Sequence, residues 1–121
     1  MQAVIIVDGG DREGTFGSFI IMTNDGVTLA HKFSYWGVGD HNHAEYLALI
    51  SALTRAEELG IISVQVLSDS ETVIEQVHKR RAVHNRELRQ LRDTVLEKLL
   101  LFDTWSLDKI TGLVVKGVLG H

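Results

Sequence analysis

Apolar runs separated by turn residues occupy the first third of the chain. Residues 4–7 form a β-branched run that stops at Asp8, which predicts a buried strand ending at that aspartate. A second apolar run, residues 19–22, precedes an Asn-Asp-Gly tripeptide at 24–26 that is typical of a hairpin turn. Residues 27–36 then alternate as a returning strand. One face of that strand carries Val27, Leu29, His31, Phe33 and Tyr35. The pattern predicts a β-meander.

From His43 onward the apolar spacing becomes helical, and Gly60 is placed where a helix C-terminal cap is expected. The apolar stripe of this first helix comprises Tyr46, Leu49, Ile50 and Leu53. Residues 61–67 predict a further buried strand, after which Ser68, Asp69, Ser70 and Glu71 supply capping chemistry for a second helix. That second helix carries Val73, Ile74 and Val77 on its apolar side.

Asn85 can cap a third helix, and residues 105–110 predict a last strand. The stripe of the third helix comprises Leu88, Leu91, Val95, Leu99 and Phe102. The predicted order is therefore βββαβααβ, which is typical of an α/β protein. The apolar, glycine-interrupted segment 114–121 leaves open whether the residues after Lys116 form a helix, and such a segment could also dock on a partner chain.

The composition favours one ordinary folded domain spanning residues 1–121, with 45% apolar and 23% charged side chains. Without cysteine, a metal ion would depend on carboxylate, imidazole or carbonyl ligands, and a hard cation is favoured. The start of the chain resembles no secretion signal and no run reaches membrane-spanning length, so we expect a cytoplasmic location without a membrane partner. A net charge of -4 argues against non-specific coating of nucleic acid but is compatible with a nuclease.

Three acids occupy positions where an α/β sheet gathers functional groups. Asp8 and Asp69 each end a predicted strand, and Glu45 lies near the start of the first helix. Each of these acids alone is more typical of a turn, a cap or a solvated surface. Held in one pocket the three would repel one another unless some are protonated or a cation binds between them. Mg²⁺ suits such an oxygen-rich pocket.

Residues 7–10, 42–49 and 67–77 are similar, in sequence and in order, to the first three signature segments of type 1 ribonuclease H. The resemblance implies a ribonuclease H-like fold, with a mixed five-stranded sheet flanked by helices on both faces. It also implies an endonuclease that hydrolyses the RNA strand of RNA/DNA hybrids with two Mg²⁺ or Mn²⁺ ions. Asp8, Glu45 and Asp69 match the catalytic metal ligands of the family.

The same resemblance suggests contacts with nucleic acid. Asn42 matches an amide that contacts the hybrid in its minor groove, and Gly9 and Gly10 would allow the backbone to approach a ribose. The predicted nucleic-acid-binding residues are Gly9, Gly10, Asn42, Ser70, Lys79, Arg80 and Arg81. The last three could contact phosphate, because the chain lacks the basic handle of longer family members and is expected to bind its substrate weakly. Equally, a basic run after a helix can simply complement the helix dipole.

The end of the chain departs from the family pattern, which usually has a fourth metal-binding aspartate in a final helix. In one alignment Gly112, Val115 and Leu119 replace the expected arginine, asparagine and aspartate; in another, Val118 replaces a mobile histidine. Substitute ligands could come from other acids or histidines, but a surface role is favoured for each. These candidates are Asp11, Asp108, His41, His43 and His121.

Two functions from different classes follow. The favoured hypothesis is the hybrid-specific endoribonuclease. The rival is a ribonuclease H-like module that binds nucleic acid or protein with weak or lost catalysis, because fold alone does not determine function. The missing fourth acid favours the rival, whereas retention of three mutually repelling acids favours the enzyme. Cleavage of another nucleic acid is a third hypothesis, and a monomer and a homodimer remain equally open.

Overall fold

The computed structural model describes residues 1–11, 14–37 and 39–120 and shows a five-stranded mixed sheet in the order β3-β2-β1-β4-β5. The strands are β1 (Gln2–Gly10), β2 (Thr15–Thr23), β3 (Thr28–Gly37), β4 (Ser63–Ser68) and β5 (Thr104–Lys109), and the helices are α1 (His41–Glu58), α2 (Glu71–Val77), α3 (Arg86–Leu99) and α4 (Gly112–Leu119). The first three strands are antiparallel, whereas β4 is parallel to β1 and β5 is parallel to β4. The predicted mixed sheet and element order are confirmed, with α4 added at the end.

The alternation of side chains along β1 divides the interior into two layers. Ile5 and Val7 are fully buried in the larger cluster, which includes residues of α1, α2 and α3. Ile6, pointing to the other face, joins a smaller cluster with Val115 and Leu119 of α4. Because neighbouring residues of a strand face opposite sides of a sheet, β1 is apolar on both faces and lies at the centre of the molecule.

Helix α1 begins two residues before the predicted start at His43. The reason is Asp40, whose carboxylate accepts a hydrogen bond from the His43 N–H at 2.7 Å and so caps the helix. At the other end the predicted role of Gly60 is confirmed, because this residue adopts a φ of +75° and its N–H donates to the carbonyl of Glu57. These two ends fix the part of α1 that carries Glu45.

Strand β3 is an edge strand, and the face that the alternation marks as apolar is largely exposed near the end of the strand. Phe33 and Tyr35 are 44% and 71% exposed. Leu29 instead lies on the other side of the sheet, partly buried against the larger cluster, so the predicted single face is wrong. The reason is the register shift between Ile21 and Met22, which interrupts the alternation of β3. Helix α3 also differs slightly from the prediction. It ends at Leu99, and Phe102 is buried in the turn that follows rather than on the helix.

No helix within the described ranges combines the length and the apolar character that crossing a membrane requires. The assignment of residues 1–121 to one domain stays a prediction.

Candidate metal centre

Parallel pairing of β1 with β4 brings two of the predicted acids together. Ile6 is in register with Leu67, so both strands end at the same edge of the sheet. Asp8 lies two residues after Ile6 and Asp69 two residues after Leu67, which places the two carboxylates side by side. Helix α1 supplies the third acid, Glu45. Potential ligand oxygens of the three side chains all lie within 4.8 Å of one another.

Glu45 is completely buried and is held by donors on both of its oxygens. The backbone N–H of Gly9 donates to Oε2 and the Ser68 hydroxyl donates to Oε1, each at 2.7 Å. Ser68 is itself positioned by the Ser70 N–H, which donates to its oxygen at 3.0 Å. The carboxylate of Glu45 is therefore fixed before any ligand arrives.

Gly9 has a structural reason for being glycine. A Cβ atom there would lie 2.4 Å from the backbone nitrogen of Glu45, closer than real Cβ contacts occur. Only glycine lets β1 approach α1 closely enough for the hydrogen bond to Glu45. At Gly10 a Cβ atom would lie 2.3 Å from the ring of Phe16, so that glycine makes room for an aromatic side chain.

Burial and neighbouring negative charge raise the pKa values of Glu45 and Asp8 when no cation is present. Burial raises the pKa of Glu45 to about 8, although the Ser68 hydrogen bond opposes the rise. Burial, followed by the charge of Asp69, raises the pKa of Asp8 to about 6, and the nearby charges of His41 and Lys116 counteract part of this change. Three carboxylates that are hard to ionise together in water-poor surroundings are suited to a hard divalent cation, which would stabilise their charged forms.

The carboxylates of Asp8 and Asp69 open onto a shallow cleft of about 230 Å³, and the buried Glu45 lies behind them. Its lining residues are Asp8, Gly9, Gly10, Asp11, Phe16, His41, Asp69 and Lys116. Helix α4 forms one side of this region, because a Cβ atom at Gly112 would lie 3.1 Å from Oδ2 of Asp69. The cleft therefore combines oxygen ligands with an ammonium group and an aromatic ring.

The structure contains no fourth carboxylate in this cluster among the residues it describes. Val115 and Leu119, which replace the family's asparagine and aspartate in one of the two alignments, are buried in the apolar cluster with Ile6. The face of α4 near the acids carries Gly112 and Lys116. Helix α4 thus supplies a cation, Lys116, to the cleft.

Of the substitute ligands that the sequence suggests, some lie at the cleft and others lie elsewhere on the surface. Asp11 and His41 line the cleft. His43 lies with Nε2 3.3 Å from a carboxylate oxygen of Glu87, and Asp108 is an exposed residue of β5 near the charge of Arg80. His121 lies outside the described residues.

The other predicted nucleic-acid contacts lie in the first turn of α1 and at the two ends of α2. Asn42 is half-buried in the first turn of α1. Ser70 is nearly buried and caps α2, since its hydroxyl accepts a hydrogen bond from the Val73 N–H at 3.3 Å. The prediction that residues 68–71 supply capping chemistry is confirmed.

The three basic residues follow the C-terminal end of α2. Lys79 has a positive φ of 61°. Arg80 forms an ion pair with Glu75, 2.7 Å between Nε and Oε2, and Arg81 donates to the Thr72 hydroxyl at 2.9 Å. Both guanidinium groups are therefore already engaged with α2, and phosphate binding by this cluster stays a prediction.

Sequence reasoning did not assign four residues that the structure places at the site. They are Phe16, Ser18, Ser68 and Lys116. Ser18 is directly opposite Asp8 in the β1–β2 pair, and its hydroxyl is buried with no hydrogen-bond partner among the described residues. Ser68 could have been found from strand alternation, because it continues the inward-facing series of Val64 and Val66.

Comparison with known proteins identifies the family. The sequence model of the reverse transcriptase-like family matches residues 6–110. The chain is 30% identical over 92 residues to ribonuclease HI of Halobacterium salinarum, and 34% identical over 95 residues to the bifunctional protein Rv2228c of Mycobacterium tuberculosis. These matches cover 76% and 75% of this chain, but only 46% and 26% of the respective relatives, so the chain spans less than half the length of either.

Solved structures agree with the sequence matches. RNase H1 of Halobacterium salinarum superimposes with a TM-score of 0.91 at 26% identity, covering 96% of this chain and 90% of that one. The N-terminal RNase H domain of Rv2228c gives the same TM-score at 28% identity, covering 96% and 92%. The resemblance to type 1 ribonuclease H is thereby confirmed, and the chain belongs to the reverse transcriptase-like family, with the ribonuclease H fold.

Proposed function

We propose that this chain is a metal-dependent endoribonuclease that hydrolyses the RNA strand of RNA/DNA hybrids. The observation that carries the proposal is the convergence of Asp8, Glu45 and Asp69, whose ligand oxygens lie within 4.8 Å of one another beside a cleft that Asp8 and Asp69 line. A pure binding module gains nothing from holding three repelling acids together, since their burial costs free energy. The same residues are the proposed metal ligands.

Bound Mg²⁺ or Mn²⁺, two ions in the mechanism that the family resemblance implies, would supply an acidified water and stabilise the charge on the leaving oxygen. Asp8, Glu45 and Asp69 would hold these ions. The chain contributes positioning: Gly9 and Ser68 orient Glu45 so that its oxygens need no rearrangement during loading. Phosphoryl transfer depends mainly on positioning and charge, which this arrangement supplies.

The choice of an RNA/DNA hybrid is supported by the relatives named ribonuclease H. LC11-RNase H1, which shares the fold with a TM-score of 0.85 at 24% identity, has been solved in complex with an RNA/DNA hybrid. In this chain the proposed contacts with the hybrid are those predicted from the sequence, namely Gly9, Gly10, Asn42, Ser70, Lys79, Arg80 and Arg81. A cytoplasmic location likewise stays a prediction.

Cleavage of a labelled RNA/DNA hybrid tests the proposal, with single-stranded RNA and duplex DNA as comparison substrates in Mg²⁺ and in Mn²⁺. We expect hybrid-specific cleavage that falls by roughly a hundredfold or more in Asp8→Asn and Asp69→Asn, because each removes a charged ligand. Asp103→Asn is the matched control, since Asp103 is exposed at the start of β5 and outside the cleft. This control should retain parental activity.

The rival function, a binding module with lost catalysis, is favoured by one observation. Lys116 lines the cleft, and no fourth carboxylate joins the cluster within the part of the chain that the structure describes. Tight hybrid binding with no cleavage in either metal would support this rival and would contradict the proposed enzyme.

A further inference from the structure

An aromatic strip extends sideways from the cleft across the sheet. It consists of Phe16 on β2 and of Phe33 and Tyr35 on β3. Phe16 lines the cleft, and its ring stacks on that of Phe33 with 5.4 Å between centroids and 14° between planes. Tyr35 meets Phe33 edge to face, with 5.1 Å between centroids. The three rings thus form one continuous series that starts at the metal centre.

Strand register explains why the strip is continuous with the carboxylates. Gly10 is opposite Phe16, which is opposite Tyr35. One row further along, Asp8 is opposite Ser18, which is opposite Phe33. Both rows face the side of the sheet that α4 covers, because Ile20, two residues beyond Ser18, packs against α4.

Helix α4 covers only the part of this face that lies beyond the strip. Its buried residues Val115 and Leu119 contact the cluster of Ile6 and Ile20, whereas Phe33 and Tyr35 remain 44% and 71% exposed. An exposed phenol ring on an edge strand contributes little to the core, so burial does not account for its presence. Cross-strand ring contacts stabilise a sheet modestly, and the ring of Tyr35, 71% exposed, is still accessible to a ligand.

We infer that the strip of Phe16, Phe33 and Tyr35 binds unpaired nucleotides that flank the duplex at the metal centre. This inference rests on the proposed function and extends it. Exposed aromatic rings on a sheet stack with unpaired bases, whose faces are accessible, whereas bases inside a duplex are already stacked on one another. A strand leaving the cleft on the side of Phe16 meets Phe33 and Tyr35 next, so the chain prefers hybrids with a single-stranded extension.

The test measures binding of RNA/DNA hybrids that are blunt or carry a short single-stranded extension with 2-aminopurine, in Ca²⁺ to prevent cleavage. We expect the parent to bind the extended hybrid about tenfold more tightly than the blunt one and to quench the 2-aminopurine fluorescence, as base stacking does. Tyr35→Ala should abolish both effects, whereas Tyr35→Phe, which keeps the ring, should retain them.

Controls separate this inference from the proposed function and from self-association. Leu113→Ala removes another exposed apolar side chain, 85% exposed on α4, and should leave the preference unchanged. Equal binding of blunt and extended hybrids by the parent, with normal cleavage of the blunt hybrid, would overturn the inference alone. Absence of all hybrid binding would overturn both. If Tyr35→Ala instead dissolves a dimer seen by light scattering, without affecting the preference, the strip is a protein interface and the inference is wrong.

Discussion

Two hydrogen-bond donors determine how Glu45 is oriented and how readily its carboxyl group ionises. Ser68→Ala removes the hydroxyl that donates to Oε1 and leaves the Ser70 N–H without its partner. Because the Ser68 hydrogen bond lowers the pKa of Glu45, its loss should raise that pKa further above 8. We expect weaker metal binding at neutral pH, partial recovery at higher pH, and a stability loss of about 1–3 kcal/mol.

The measurement for Ser68→Ala is the pH profile of metal-dependent cleavage, together with Mn²⁺ titration calorimetry at two pH values. Ser106→Ala provides the control, because Ser106 lies on β5 in register with Gln65 and away from the acids. A profile that keeps its parental midpoint while stability falls would show that Ser68 is structural only.

At the scale of single residues, the three acids of the site could be predicted from the sequence, whereas the residues that position them or modify their charge could not. Asp8, Glu45 and Asp69 could be found because strand ends and helix starts meet at one sheet edge. The sequence predicts a helix-capping role for Ser68, because a serine next to an aspartate has the same pattern in a helix cap as in a metal site. The location of Lys116 at the cleft could not be predicted, because it depends on a helix that the local pattern does not predict.

Helix α4 shows why part of the fold could not be derived locally. It begins at Gly112 and contains Gly117 in its interior, where glycine disfavours a helix by about 1 kcal/mol relative to alanine. Its formation depends instead on tertiary contacts, because Val115 and Leu119 are buried against the outer face of β1 and β2. By contrast, the apolar positions of α1, α2 and α3 recur at helical spacing without a glycine inside the helix, and all three helices were predicted.

Because α4 places Lys116 at the cleft, substitution of this residue tests how a nearby positive charge affects cation affinity at the metal centre. Lys116→Asp would replace an ammonium with a carboxylate at the cleft, and we expect Mn²⁺ affinity to rise on the order of tenfold, equivalent to about 1.4 kcal/mol. Lys116→Met removes the charge only and should give an intermediate affinity. Titration calorimetry with Mn²⁺ measures both.

The matched control for Lys116 is Lys32→Asp, which makes the same change of net charge on β3. Lys32 is in register with Phe19, whose side chain belongs to the opposite face of the sheet, so Mn²⁺ affinity should stay at the parental value. Equal affinity in the parent, Lys116→Asp and Lys116→Met would mean that the ammonium does not act on the metal centre.

At the scale of the whole molecule, burying the acids of the metal centre costs folding free energy, and the rest of the fold must offset this loss. Glu45 is buried between α1 and the sheet, in direct continuity with the large apolar cluster that holds Tyr46 and Leu49. The close approach of this helix to β1 requires Gly9. The same contact therefore determines how the core packs and where Glu45 lies. Ionising Glu45 without a bound cation must therefore strain the folded state rather than a local loop.

The stability of the metal-free protein should fall as the pH rises from about 4 to 8. The folded-state pKa values of Glu45, about 8, and of Asp8, about 6, exceed the ordinary values of 4.5 and 3.8. Folding therefore favours the protonated acids: the free energy of unfolding is unaffected below the ordinary values and is progressively reduced as the pH rises through the folded values. Glu45 alone should account for a loss on the order of 5 kcal/mol.

Urea unfolding in EDTA, at several pH values between 4 and 8.5, measures this dependence in the parent and in Glu45→Gln. The amide cannot ionise, so this variant should lose less stability over the same range, and the difference between the two proteins cancels the contributions of the histidines. Mg²⁺ should restore the parent at pH 8 by stabilising the ionised acids, and should do so less in Glu45→Gln. Parallel curves for the two proteins would contradict the raised pKa of Glu45, and with it the view that the buried acid is protonated until a cation binds.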